Sequence, residues 1–473
     1  MYDNFHEFTR RKTALVYQMN GLQPSTTILE PHPTQQPSEI TIFALMRATI
    51  NIASAKFEAF QKAMPAETRN HSMAVILDSN QLRGWGNGCL EYMAALGALD
   101  TTSSGLPELK RFHQEKKDWL LGFITYDYKN QLEELTSRNE NHMPLPDLCF
   151  FQPRYLFIKD QQGFRLEYPS EAHGTEIEQL MERLQSHATI KQELPTINFQ
   201  PRVEAGNYKK RVAQIQENIH RGDIYELNYC IEYFAAPAQI DPATTWLRLI
   251  EASPTPFSAF VKHQQLYTLC ASPERYLLHT HGNLVSQPIK GTAARAADPE
   301  TDAINKMMLA TSEKERAENI MITDLVRNDL SRIAKQGSVK VEELCGLYGF
   351  RQVWQMITTI TARLDENHHW TDALATSFPM GSMTGAPKIK AMQLIDSYEV
   401  TKRGIYSGAI GYITPAGDFD FNVVIRSLFF NELEQHLSFM VGSAITMGSK
   451  PEEEFNECQV KAAAMRKIFN QQP

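Results

Sequence analysis

The sequence predicts an α+β fold built on large antiparallel sheets. Three observations carry this expectation. Strand-like runs recur in series at Leu284–Ile289, Tyr406–Ile413, Phe419–Leu428 and Leu437–Ile445. Helical spacing falls between them, near 312–334, 386–397 and 452–469. No regular strand–helix alternation, the signature of a parallel sheet, runs through the chain. The 473 residues correspond to about three domains' worth of chain at roughly 150 residues each, enough to bury a sizeable core.

Taken in order, Met73–Asn80 (MAVILDSN) and Trp119–Tyr128 (WLLGFITYDY) read as buried strands. Helical spacing follows at Glu176–Leu184. Two polar, proline-bearing stretches interrupt the pattern, Thr136–Asp147 and Gln192–Arg202. The second is the better boundary, because helical spacing resumes directly after it. Val212, Ile215 and Ile219 line one face there, and Gly222 is placed to end the helix. Ile224–Phe234, rich in aromatic and β-branched residues, then reads as a strand.

The 47 basic and 55 acidic side chains give a net charge of −8, which argues against general nucleic-acid binding. No apolar run approaches the ~20 residues that span a bilayer. The first residues are polar and carry no signal-peptide core. Cys89, Cys149, Cys230, Cys270, Cys345 and Cys458 form no CxxC pair, so neither zinc spacing nor a disulfide framework is expected. A reduced cytoplasm fits this usage.

Two helices carry pairs of glutamates. Ser312 followed by Glu315 is a capping-box pattern, and Glu315 and Glu318 share the face that follows. In the last helix Ser449 precedes Pro451 and Glu452 in the first turn. Glu454, Glu457 and Lys461 then fall within about 60° of one another at ~100° per residue. Such carboxylates fit a hard cation such as Mg²⁺. Two solvated, charge-decorated faces are the commoner meaning of the same spacing.

Lys290, in SQPIKGTAAR, ends an apolar run just before a Gly-Thr turn. Partial desolvation would lower its pKa and free a nucleophilic amine; a lysine snorkelling to solvent fits the same pattern. Glu274, in ASPERY, could act as a general acid at a strand end or sit in an exposed loop. Phe378–Met392 (FPMGSMTGAPKIKAM) leads into a helix whose N–H groups could receive an anion, although its spacing is not that of a Walker A loop. Gly84–Cys89 (GWGNGC) fails as a dinucleotide fingerprint and reads as a turn. Arg426 lies inside an apolar strand pattern and therefore demands an anionic partner.

The succession SPERY, PIKGTAAR, KERAENIMITDLVRNDL, FPMGSMTGAPKIKAM, RGIYSGAIGY, NVVIRSL, VGSAIT and EEEFNECQVKAAAM resembles the chorismate-utilising enzymes. That family includes anthranilate synthase component I, isochorismate and salicylate synthases, and aminodeoxychorismate synthase component I. The resemblance covers residues 200–468, which it implies are a chorismate-binding catalytic domain. Residues 1–195 would form an N-terminal component I region interlocked with it, the whole being face-to-face antiparallel sheets surrounded by helices.

Lysine in PIKGT resembles the aminodeoxychorismate synthases; the anthranilate and isochorismate groups carry alanine there. The resemblance implies that Lys290 attacks C2 of chorismate as the 4-hydroxyl leaves, with Glu274 as general acid, before ammonia attacks C4. It implies Mg²⁺ ligation by Glu318 and Glu457, with Glu315 and Glu454 nearby. Lys461 and the backbone near Gly442 would bind the ring carboxylate. Tyr406 and Arg426 would bind the enolpyruvyl carboxylate, with Ser382 at a small-hydroxyl position. An anthranilate synthase component I, or a catalytically silent chorismate-binding subunit, are the alternatives.

One residue departs from the family pattern. Gln355 stands where relatives usually carry histidine, keeping hydrogen-bonding ability but not titration. No glutaminase or pyridoxal-phosphate lyase module is recognisable, so ammonia is expected free or from a separate glutamine amidotransferase subunit. Leu77–Asn80 (LDSN) resembles the segment where component I proteins bind tryptophan.

Overall fold

Side chains alternate between the two faces of a strand, and in this protein both faces are buried. The computed structural model describes residues 46–82, 90–186 and 194–469. In the strand Met73–Asp78, Met73 and Val75 enter one core while Ala74 and Ile76 enter a second. Its neighbour Tyr92–Thr102 divides likewise, with Met93 and Ala95 opposed to Tyr92, Ala94 and Leu96.

The strands form two antiparallel layers within one hydrogen-bonded sheet. The first layer passes through Tyr92–Thr102, Met73–Asp78, Phe257–His263, Leu266–Ser272, Ser427–Asn431, His436–Ile445 and Glu226–Ala235. The second passes through Leu120–Ile124, Ala409–Ile413, Phe419–Asn422, Arg275–Thr280, Asn283–Gln287 and Val353–Arg363. The long strand Leu148–Asp160 pairs into both and joins them. Val75 and Ala259 from the first layer meet Phe123, Ile410 and Tyr276 from the second in the shared core. The outer core is covered by helices, among them Ala205–His220, Pro242–Ala252 and Pro451–Lys467. This is the α+β architecture expected from the sequence. Residues on both sides of 195–200 contribute to each layer, as Met73–Asp78 beside Phe257–His263 and Leu120–Ile124 beside Ala409–Ile413 illustrate. No helix among the described residues is long and apolar enough to cross a membrane.

Local expectations fare unevenly. Val212, Ile215 and Ile219 are buried on Ala205–His220, and Gly222 follows with φ +80°, the left-handed conformation that glycine adopts without strain. The run Trp119–Tyr128 forms a strand only over Leu120–Ile124, because Tyr126–Tyr128 turns into a short 3-10 segment. Phe419–Leu428 is two strands, Phe419–Asn422 and Ser427–Asn431, rather than one. Arg426 therefore sits in a break, at φ +52°, and not within a strand. The break is held by exchange with a second loop: Ser407 N–H donates to Val424 C=O, and Val424 N–H to Gly408 C=O. Gly84–Cys89 lies outside the described residues.

A buried pair fixes the loops that meet at this edge. Arg403 lies against Glu399, with Nη2 2.6 Å from Oε1. The same guanidinium donates to the carbonyls of Met383 and Asn228. One side chain thus ties the 381–384 turn to the Glu226–Ala235 strand. Removing the carboxylate would strand a buried cation, which costs about 3–5 kcal/mol. Glu399→Gln is expected to lower the urea unfolding free energy by about that amount. Glu453→Gln, at the exposed Lys450–Glu453 pair, should change it by less than about 0.5 kcal/mol.

Candidate active site

The strand Ile289–Ala294 pairs with Val353–Arg363 through a register shift between Ile289 and Thr292. A bulge of this kind re-aims the side chain it carries. Gly291 makes the shift possible: its φ is +98°, and a Cβ there would lie 3.1 Å from the Glu315 carboxylate. Lys290 is consequently turned inward and is only 9% exposed. Its carbonyl accepts from Asn319 Nδ2 of the helix Glu313–Ser331, and its Nζ donates to Glu226 Oε1 at 2.9 Å.

This contact reverses an electrostatic expectation. Burial alone would lower the Lys290 pKa, but Glu226, Glu318 and Glu274 outweigh it and hold the ammonium above the usual lysine range. The lysine is desolvated, as the sequence suggested. It is nevertheless stored as a cation, because the surrounding groups are carboxylates.

Glu274 lies between the strands Leu266–Ser272 and Arg275–Thr280 and is buried. It is not the exposed loop carboxylate that the sequence also allowed. Burial raises its pKa to about 7, against the opposing pull of the Ser382 hydroxyl, Lys290, the Ile289 N–H and Arg426. Ser382 Oγ donates to Glu274 Oε1 at 2.6 Å, so that hydroxyl is engaged by the protein's own acid. Ser382 itself is positioned by the Gly381–Met383 turn, where its carbonyl accepts from Asn228 Nδ2.

Arg426 and Tyr406 come from the two loops pinned by the Ser407–Val424 exchange. The Arg426 guanidinium donates to no protein group among the described residues. Burial lowers its pKa to about 10, with Glu274 opposing. A half-buried guanidinium without a partner is a ready anion receptor. Tyr406 is buried, with the Cys230 thiol 4.0 Å from its hydroxyl. Lys461 donates to Gly442 C=O at 2.7 Å and pairs with Glu457 at 2.7 Å. Lys461 and Gly442 are thus brought together, each already engaging the other.

The four glutamates on Glu313–Ser331 and Pro451–Lys467 are not equivalent, and they are not simply solvated faces. Glu318 and Glu454 are buried, whereas the Glu457 side chain is 44% exposed. Glu318 Oε1 and Glu454 Oε2 are buried without a hydrogen-bond partner. Lys314 lies between them, 3.1 Å from Glu454 Oε1 and 4.0 Å from Glu318 Oε1. Burial raises the Glu318 pKa to about 7, with Glu226 and Glu315 adding to it and Lys290 and Lys314 opposing. Among the described residues no three His, Cys, Asp or Glu side chains form a ready-made metal cage. Two buried carboxylate oxygens lacking donors, with a lysine as the neighbouring cation, nonetheless fit an ion such as Mg²⁺ that keeps several waters.

Several residues here escaped the sequence reading. Glu226, at the start of Glu226–Ala235, is completely buried and touches Lys290. A glutamate opening an apolar strand was a usable signal, since buried carboxylates need partners. Asn319 gave none, because its partners are distant in sequence; Arg403 pairs with Glu399 four residues before it, but its ties to the Met383 and Asn228 carbonyls were not readable. Gln355 is buried opposite Thr292, and its Oε1 lacks a partner.

A buried lysine beside a carboxylate, a carboxyl poised near neutrality and an unpaired guanidinium suit an anionic substrate that loses an oxygen leaving group. A family model described as chorismate binding enzyme matches residues 71–467. The chain belongs to that family. Aminodeoxychorismate synthase component 1 of Escherichia coli (strain K12) is 36% identical over 339 residues, covering 71% of this chain and 74% of that protein. The protein of the same name from Bacillus subtilis (strain 168) is 29% identical over 365 residues, covering 74% of this chain and 76% of that one. Anthranilate synthase component I from Streptococcus pneumoniae TIGR4 superposes with a TM-score of 0.71 at 25% identity, covering 82% of this chain and 95% of that one. The menaquinone-specific isochorismate synthase of Escherichia coli shares the fold, with a TM-score of 0.69 at 19% identity over 90% of this chain and 95% of that one. This chorismate-binding enzyme thus has the architecture of component I proteins.

The Ser382–Glu274 contact can be tested without substrate. The hydroxyl favours the ionised carboxyl, so Ser382→Ala should move the Glu274 midpoint above its value of about 7. Carboxyl ¹³C chemical shifts followed against pH would report it, and an unmoved midpoint would remove the assigned contact.

Proposed function

We propose that this chain is the chorismate-aminating component of an aminodeoxychorismate synthase, forming 4-amino-4-deoxychorismate on the route to p-aminobenzoate and folate. The observation that carries the reading is Lys290, buried within electrostatic reach of Glu274, which burial poises near pH 7. Lys290 Nζ attacks C2 of chorismate while Glu274 gives its proton to the departing 4-hydroxyl, which leaves as water. Ammonia then attacks C4, and the C2–N bond breaks to return the lysine.

The remaining residues orient the substrate. Arg426 and Tyr406 take the enolpyruvyl carboxylate, and Lys461 with the Gly442 backbone takes the ring carboxylate. For that, Lys461 must share or exchange its present Glu457 contact. Ser382 keeps Glu274 in place. Glu318 and Glu457, with Glu315 and Glu454 through water, would hold Mg²⁺, which when bound supplies positive charge beside the ring carboxylate. Ammonia arrives free or from a separate glutamine amidotransferase subunit. Leu77–Asn80, beside a small pocket also lined by Met93, Phe257 and Tyr412, is the proposed tryptophan segment.

The likeness to the Streptococcus anthranilate synthase component I supports a second reading, formation of anthranilate. Product analysis separates the two. Chorismate, Mg²⁺ and ammonium should yield an aminated product that becomes p-aminobenzoate only when the lyase is added. Fluorescent anthranilate formed without lyase would overturn the first reading. Lys290→Ala should reduce amination on the order of 10³-fold or more.

Two further outcomes follow from the same groups. General acid catalysis needs Glu274 protonated, so kcat/KM should fall roughly tenfold per pH unit above about 7. Glu274→Gln should remove that dependence along with ~10²–10⁴-fold of the rate. Mg²⁺ should raise the melting temperature, through a stabilisation of about 2.7 kcal/mol at a hundred times its Kd. Glu318→Ala should abolish this response without lowering the metal-free melting temperature, since it deletes a buried oxygen that accepts no hydrogen bond and meets Lys314 only at 4.0 Å.

A further inference from the structure

A lysine held as an ammonium has no lone pair with which to attack carbon. Any reaction through Lys290, which is only 9% exposed, therefore requires a proton acceptor close beside it. Three carboxyl groups act on this ammonium: Glu226 on its strand, Glu318 on the helix Glu313–Ser331, and Glu274 between two strands. Only Glu226 lies within ion-pair distance of Nζ among the described residues. Glu274 is committed elsewhere, because it must carry a proton for the leaving hydroxyl at the moment of attack.

We propose that Glu226 is the base of this site, taking the proton from the Lys290 ammonium as chorismate binds and returning it when the lysine is released. The inference rests on Lys290 being the nucleophile.

Three features suit Glu226 to this task. It is completely buried, and its second oxygen, Oε2, has no hydrogen-bond partner. The donor seen at its other oxygen is Lys290 itself, at 2.9 Å. Its position is also fixed. Glu226 pairs with Ala386 across the strands, and a Cβ on Gly385 would lie 2.2 Å from the Glu226 carbonyl oxygen. The backbone cannot recede from Lys290 without disturbing the 381–386 segment that carries Ser382.

The proton count closes. The N–H bond of Lys290 breaks and an O–H bond forms on Glu226, leaving a neutral amine. That amine forms the C2–N bond while C4–O breaks, and Glu274 supplies the proton that completes water. After ammonia forms the C4–N bond, the C2–N bond breaks, Lys290 leaves as an amine, Glu226 gives its proton back, and the new C4 ammonium gives up the proton that restores Glu274.

The test is single-turnover loss of chorismate by the full chain with Mg²⁺ and ammonium, from pH 6 to 10. Glu226→Gln should be slower at pH 7 by on the order of 10²–10⁴. The wild-type to variant ratio should then narrow by roughly tenfold per pH unit as solvent takes over proton removal. Taking the ratio cancels the Glu274 limb. Glu226→Asp, one methylene shorter, should keep the wild-type pH dependence at a reduced rate, and it carries the comparison if the glutamine variant does not fold. A Glu226→Gln protein as fast as wild type or faster, or slower by one constant factor at every pH, would overturn the assignment alone. A wild-type protein that yields no aminated product would overturn the assignment together with the reading beneath it.

Discussion

The contact between the Lys290 ammonium and the Glu226 carboxylate, 2.9 Å apart and out of water, is the constraint around which the site is arranged. A buried ion pair recovers its desolvation cost only when both groups are held in good geometry. Here the geometry comes from two separate pieces of sheet. The bulge at Lys290–Gly291 turns the lysine inward, and the strand Glu226–Ala235 presents the glutamate from the other layer. Nearby, Arg403 joins that strand to the turn bearing Ser382, so the hydroxyl that contacts Glu274 and the lysine's partner share one support.

The same constraint explains how an acidic protein can receive an anionic substrate. The net charge of −8 says little about a local site. Around Lys290 the carboxylates differ in condition. Glu274 and Glu318 are pushed towards neutrality by burial, while Glu454 and Glu457 are matched to Lys314 and Lys461. Arg426 remains as a cation that donates to no protein group among the described residues, with Glu274 opposing the cost of its burial. Negative charge is thus either pushed towards neutrality, paired or available to a cation, and the Arg426 guanidinium is left as the candidate anion receptor.

How much of this was legible in the sequence depended on the range of the interaction. The helix carrying Val212, Ile215 and Ile219 was readable because its apolar face is encoded within a few turns. Lys290 and Glu274 were readable through an ordered set of segments, each short and each distinctive. The break at Arg426 was hidden because Val423 and Val424 continue the apolar run on its N-terminal side, although the backbone turns there to meet Ser407 and Gly408. The direction of the Lys290 shift was misjudged for a related reason. Burial could be guessed from its flanks, but Glu226 and Glu318 approach from elements 64 residues before it and on a separate helix. Likewise, nothing in the sequence says that the Ser382 hydroxyl faces a protein carboxyl.

The central claim is that Lys290 itself bonds to the substrate. Wild-type protein given chorismate and Mg²⁺ without ammonia, quenched in acid and digested, can be mapped by mass spectrometry. The account predicts that the peptide containing Lys290 gains the mass of chorismate less one water. No gain, or a gain located on Lys314 or Lys461, would contradict it.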